Sequence, residues 1–199
     1  MRRLSIALMV IIASFSQTYA KVIIDYSNTI IDRVNIKVQL YEHYASRADE
    51  MAYQSDSVAI VDGSLALDFD FSKPYRVYIE PANEAHYEHC GYIELLIWDS
   101  DNISVKAYDH ECYITTTVTG SQFNAVLSEY NNLRRHMEMG EERYYEIRDQ
   151  FILSHEPSPA LAYILLSVHD PARARELCSG VDKSCFVAPF DIVPAILGL

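Results

Sequence analysis

No cysteine stands before Cys90 in this 199-residue chain, so no thiol near the N-terminal apolar run could carry a lipid. Nor is there a Cys-x-x-Cys pair, which removes the low-pKa dithiol that thioredoxin-like sites place at a helix N-terminus. Basic residues are scarce: 16 Lys and Arg face 28 Asp and Glu, a net charge of −12. Binding to nucleic acid or an anionic membrane surface depends on clustered Lys and Arg, so both are excluded as main partners. Gly-x-Ser-x-Gly elbows, Walker loops and His-Glu-x-x-His zinc motifs are all missing. Beyond residue 20 no apolar run approaches the roughly 20 residues needed to cross a bilayer, so a mature chain with no transmembrane segment is expected. A single tryptophan stands against 15 tyrosines, a bias that reports half-buried strand positions rather than a function.

What is present begins with a tripartite N-terminus. Met1-Arg2-Arg3 precedes an apolar run from Leu4 to Phe15 and then Ser16-Gln17-Thr18-Tyr19-Ala20, the pattern of a cleavable export signal. Cleavage near Ala20 would remove Arg2 and Arg3, leaving 14 basic against 28 acidic residues, a net charge of −14. A periplasmic or otherwise exported location follows as the expectation. The remaining 179 residues suffice for one domain with its own core, or one with a small appendage.

From Lys21 to about Val118 the apolar residues recur with period two, the mark of strands with one buried face. Val34, Ile36, Val38 and Leu40 alternate with polar neighbours, as do Leu65, Leu67, Phe69 and Phe71 after the turn dipeptide Asp62-Gly63. Segments 76–80, 92–98, 103–108 and 113–118 supply further short strands, making six to eight in an antiparallel sandwich or open barrel. After Gly120 the period becomes helical, with Phe123, Val126, Leu127, Tyr130, Leu133 and Met137 on one face and Gly140 as a break. A second helix over 141–155 should stop before Pro157. Ser158-Pro159 and Asp170-Pro171 open two more, the last capped by Gly180. The fold class expected is therefore α+β, with a signal over 1–20, a β unit over 21–119, a helical segment over 120–188 and a linker-like tail over 189–199. The apolar residues Ile192–Leu199 of that tail are consistent with an interface to a partner.

The four cysteines, Cys90, Cys112, Cys178 and Cys185, are even in number in a chain with an export signal, which favours structural disulfides. Segment 90–112 reads as a hairpin turning at Ser100-Asp101-Asn102; a register centred on Asp101 sets Cys90 opposite Cys112. Cys178 and Cys185 bracket the loop 179–184 and could close it. Each bond would stabilise the fold by about 2–4 kcal/mol. Two sharper readings compete. His86, Cys90, His110 and Cys112 are ligand types suited to zinc or copper, though strand alternation sets the adjacent His89 opposite Cys90. Cys178 and Cys185 could instead serve a divergent thiol-disulfide oxidoreductase, although Cys178 stands at a helix C-terminus, where the dipole disfavours a thiolate. Asn102-Ile103-Ser104 is a lone glycosylation sequon, meaningless in a bacterium. The residues themselves imply no cofactor.

Three segments, taken in order, resemble a known family. Gly63–Phe69 followed by Pro74–Ile79 is similar to the paired strands of the DUF4369 domain. Val118–Asn124, leading to Glu129-Tyr130, resembles that domain's end, and Phe151–Ala162 resembles the helical segment that follows it. The resemblance spans about 21–188. It implies the N-terminal, envelope-located domain of Gram-negative proteins that usually continue into a thioredoxin-like AhpC/TSA- or TlpA-type disulfide oxidoreductase domain. The family's Cys-x-x-Cys belongs to that second domain, so the resemblance carries no catalytic residue onto this chain. A non-catalytic binding or accessory domain, its protein or envelope ligand unspecified, is the function expected, whether as a stand-alone domain or as the remnant of a longer gene.

Overall fold

The computed structural model describes residues 19–41, 51–70, 74–82, 92–97, 102–110, 113–135 and 141–199. Among them eight strands precede the helices: β1 Tyr19–Asn28, β2 Arg33–Leu40, β3 Met51–Ala59, β4 Ser64–Asp70, β5 Tyr75–Pro81, β6 Ile93–Ile97, β7 Ile103–His110 and β8 Tyr113–Thr119. They form two four-stranded sheets, ordered β4-β1-β7-β8 and β3-β2-β5-β6. The α+β, sandwich-like class expected from the period change at Gly120 is the class observed. Alternation explains the layering: Val34, Ile36 and Val38 of β2 and Ile103, Val105 and Ala107 of β7 are buried, and polar residues between them point outward. These side chains join Val22, Ile24, Val77, Ile79, Ile93 and Leu95 in one cluster between the sheets. β1 starts at Tyr19, two residues before the expected cleavage point, and its pairing with β4 continues from Lys21↔Asp68 to Asp25↔Ser64.

Two expectations about the strands need correction. The sheets are not wholly antiparallel, because β1 and β7 run parallel, from Val22↔Ile103 to Asp25↔Lys106. A parallel pair requires a long crossover, and here the chain supplies one by building β2, β3, β5 and β6 in the other sheet between them. Nor is segment 90–112 a hairpin. β6 pairs with β5 in one sheet, whereas β7 pairs with β1 and β8 in the other. Ile93, Leu95 and Ile97 and Ile103, Val105 and Ala107 all belong in the core, so the two strands face each other across the sandwich instead of lying side by side. The register that set Cys90 opposite Cys112 is thereby lost, and both cysteines lie outside the described residues. Asp62 and Gly63 do form a tight turn, with φ of 50° and 71°, but it passes the chain from β3 in one sheet to β4 in the other.

The helices are α1 Gln122–Arg135, α2 Glu141–Ser154, α3 Pro159–Leu165, α4 Pro171–Gly180 and the short α5 Val193–Ile196, with a 3-10 turn over Lys183–Cys185. Ser158 and Asp170 cap α3 and α4 as expected, their side chains accepting from the N–H groups of Ala160 (3.3 Å) and Ala172 (2.9 Å). Gly180 does not act as a left-handed cap; it ends α4 close to Leu153, whose Cδ2 would lie 2.7 Å from an added Cβ. Gly120, at the strand-to-helix junction, has φ +85°, and an added Cβ would stand 2.0 Å from the Asn102 carbonyl oxygen.

α1 closes the open side of the sandwich, touching the edge strands of both sheets. Asn124 accepts from the Leu96 N–H and donates to the Leu96 carbonyl, each at 2.8 Å, so its amide replaces a missing neighbour of β6. Asn132 does the same for Thr116 of β8, accepting at 3.0 Å and donating at 2.6 Å. Ser128 bonds the Thr116 hydroxyl and carbonyl. Unpaired edge groups would otherwise template pairing with another chain.

A second core lies among the helices, reaching the sheet through Tyr41 and Leu96. Here the tail differs from expectation: 189–199 is no linker. Phe190 is fully buried, stacks on Phe123 (5.4 Å between centroids, 6° between planes) and meets Tyr41 and Tyr163 at 5.9 and 6.0 Å; Val193 is buried beside it. Ile196 and Leu199 remain exposed.

Candidate functional site

The outward face of β5 and β6 is where sheet and helices part. Val77 and Ile79 turn into the sandwich, which sends Arg76 and Tyr78 to the helical side; on β6 Glu94 and Leu96 do likewise. The register sets Tyr78 opposite Glu94 and Arg76 opposite Leu96. α1 contributes Leu127, Tyr130, Asn131 and Arg134, α2 Tyr144, and the α3 region Tyr163, Ile164 and Ser167. With Tyr92 these residues line a cleft of about 190 Å³ in which the described residues place five phenols, two guanidinium groups and one carboxylate.

Its polar groups are organised. Tyr163 donates its hydroxyl to Glu94 Oε1 at 2.6 Å, and the Tyr130 and Tyr144 hydroxyls share a hydrogen bond of 2.8 Å. Arg134 Nη2 donates to the Tyr92 hydroxyl, and its guanidinium stands 5.7 Å from the Tyr92 ring centre. Arg76 lies 5.3 Å over Tyr78, whose ring meets Tyr92 edge-on at 6.0 Å. Behind Tyr92, Arg135 donates from Nη1 to the Ile114 carbonyl at 2.8 Å and from Nη2 to the Tyr92 carbonyl, clamping the two sheets together. Burial raises the Tyr78, Tyr130 and Tyr163 phenols well above their ordinary value; the Glu94 charge adds to the shift at Tyr78 and Tyr163, and the Tyr144 hydroxyl to that at Tyr130. These phenols are therefore hydrogen-bond donors and acceptors at neutral pH, not bases.

The cysteine expectations fare differently. Cys178, at the end of α4, and Cys185, in the 3-10 turn, are free thiols, so the expected bond across the loop 179–184 is not formed in this structure. Both are buried, and burial raises both thiols above their usual value; at Cys185 the nearby Asp182 adds to this, against a hydrogen bond from the Ser158 backbone. Each side chain fills the helical core, which is where an apolar, weakly acidic thiol packs well. Cys178 also borders a mainly apolar depression of about 390 Å³ with Val181, Phe186, Pro194 and Leu199. Of the metal set, His110 is exposed at the end of β7 and stacks on Tyr113 at 5.3 Å. His86, Cys90 and Cys112 lie outside the described residues, among which no group of three or more His, Cys, Asp or Glu converges as ion ligands would.

The cleft is not legible in the sequence: its tyrosines read there as half-buried packing positions, and its members come from five separate stretches of chain. One signal was available: Arg76, Tyr78 and Glu94 occupy the outward phase of strands whose inward phase is wholly apolar. No family model matches the chain, and no curated protein matches it.

Proposed function

We propose that this chain is a non-catalytic binding or accessory domain of the bacterial envelope, of the kind the DUF4369 resemblance implies, and that it binds through the arginine–tyrosine cleft between β5, β6 and the helices. The observation that carries this reading is the cleft's chemistry. Five phenols and two guanidinium groups converge on about 190 Å³, and the three phenols held protonated by burial offer recognition rather than proton abstraction. Export, expected from residues 1–20, belongs to the same proposal. Among the described residues no helix is long and apolar enough to cross a membrane.

A Cys90–Cys112 disulfide stays within this reading on compartment and parity, no longer on a shared hairpin. Arg135 brings Tyr92 and Ile114, each two residues beyond its cysteine, onto one guanidinium. Formation would pass two electrons and two protons to an oxidised dithiol of the envelope. Alkylation and peptide mapping of the mature protein should recover this bond, and a native protein with both thiols free would remove it.

The test of the binding reading is turnover. Purified protein should reduce or oxidise a dithiol substrate no faster than background while changing its melting temperature or amide spectrum with a cleft ligand. Dithiol turnover at an enzyme-like rate would instead favour the second reading, a thiol-disulfide oxidoreductase using Cys178 and Cys185. That reading has one observation for it, two free thiols in one core cluster, and their raised proton affinity against it.

A further inference from the structure

We propose that the cleft takes a neutral sugar ring, free or at the end of a saccharide chain, with Asn131 as the residue that reads its hydroxyls. The inference rests on the binding-domain reading and names its ligand class. Asn131 is the first ground. α1 carries three asparagines, and two have strand partners: Asn124 bonds Leu96 of β6 and Asn132 bonds Thr116 of β8. Asn131 is 3% exposed and lines the cleft, yet among the described residues its carboxamide has no hydrogen-bond partner. A buried amide in that position has given up bonds to water and received none in return, a cost that a ligand offering both a donor and an acceptor would offset.

The groups around Asn131 narrow the class. Arg134 donates to the Tyr92 hydroxyl and can only donate, whereas the Glu94 carboxylate accepts from Tyr163 at 2.6 Å and can only accept. Asn131 does both, as do the Tyr144 and Ser167 hydroxyls that line the same cleft. A carboxylate ligand would offer nothing to Glu94 or to Asn131 Oδ1, and an ammonium nothing to Arg134 or to Asn131 Nδ2. A hydroxyl donates and accepts at one atom, so each hydroxyl of a sugar ring can meet any of these groups. Size and walls complete the case. About 190 Å³ is the share of roughly six waters in the liquid, room for one sugar ring. The C–H face of such a ring is apolar, and Leu127, Ile164 and the Tyr78 and Tyr92 rings supply matching apolar and π surface.

Isothermal titration and amide chemical-shift mapping of the purified protein decide the matter. The probes are glucose, galactose, mannose and N-acetylglucosamine, with tetrahydropyran-2-methanol, benzoate, benzylamine and a blocked dipeptide as controls. At least one sugar is expected to saturate at millimolar concentration, to shift Ile164 and Ser167, and to move the side-chain amide signals of Asn131. Tetrahydropyran-2-methanol, a sugar ring stripped of most hydroxyls, should bind at least about tenfold more weakly, because it leaves the polar groups of the cleft unpaired. Asn131→Leu should weaken sugar binding about tenfold or more without lowering the melting temperature, since it removes an unpaired amide and no contact of the fold; Asn131→Ala repeats the test with a smaller side chain. A trisaccharide of the bound sugar, run against the monomer, separates a chain end from a free sugar. No saturation by any of the sugars, an unmoved Asn131 amide, unchanged affinity in Asn131→Leu, or tighter binding of benzoate, benzylamine or the dipeptide would overturn the assignment. A tighter control in the cleft would do so while leaving the binding domain standing; dithiol turnover would remove the binding domain itself.

Discussion

At the scale of single residues, burial and hydrogen bonding decide which groups are reactive. Cys178 is 5% and Cys185 0% exposed, and burial lifts both thiols above the ordinary value of 9.0. Native protein should therefore react slowly with iodoacetamide at these positions and quickly once denatured; rapid native alkylation at neutral pH would contradict the packing. The same shifts fix the sign of a pH effect. Tyr26, Tyr78, Tyr130 and Tyr163 also bind their protons more tightly when folded, their unfolded value being 10.0. The folded state then holds more protons than the unfolded one at high pH, so the thiol contribution is complete below about pH 8 and the phenol contribution below about pH 9, and both are lost as pH rises beyond. The melting temperature should be level from pH 7 to about 8, fall gently as the thiols' ordinary value is passed and more steeply above about 10, while phenolate absorbance of these tyrosines appears only with unfolding. Gly120→Ala should cost at least about 2 kcal/mol in chemical denaturation, combining a left-handed φ with a backbone contact that cannot move cheaply.

Among the elements, α1 does more than cover a sheet. Asn124, Ser128, Asn132 and Arg135 form a polar seam that satisfies β6 and β8 where each would otherwise be an open edge. Asn124→Leu removes both bonds to Leu96 and leaves its N–H and C=O buried and unpaired, a loss of about 2–4 kcal/mol in denaturant midpoint analysis. An unchanged midpoint would mean the edge finds other partners. This seam was only partly legible. The helix and its apolar stripe followed from the spacing of Phe123, Val126, Leu127 and Tyr130, all of which are buried. Asn124, buried, and Asn132, half-buried, look like solvent-facing residues until the edge strands they serve are placed beside them.

At the scale of the whole molecule, the C-terminal segment is part of the core. Phe190→Ala should destabilise the protein by about 3–5 kcal/mol, because the ring is fully enclosed by Tyr41, Phe123 and Tyr163. Ending the chain at residue 188 should broaden or abolish cooperative thermal unfolding; a truncated form that melts as sharply as the full chain would return 189–199 to the status of a tail. The cleft has the same long-range origin, since β5, β6, α1, α2 and α3 each supply part of it.

The sequence by itself determined six of the eight strands and the first four helices, because period two, period 3.6, the Ser158 and Asp170 caps and the break at Gly120 are local properties of the chain; β1, β3 and α5 carry no such clear local mark. It also determined the phase of the strands it marked, and so the side from which Arg76, Tyr78 and Glu94 project. Tertiary structure alone decided the partners. Ile93–Ile97 and Ile103–His110 are equally compatible with a hairpin and with opposite sheets, and only the need to bury both apolar faces against each other selects the sandwich. That choice overturned the Cys90–Cys112 ladder, while contacts between residues as distant as Tyr41 and Phe190 made a core of the expected linker. Pairing and burial depend on groups far apart along the chain, so local pattern carries no record of them.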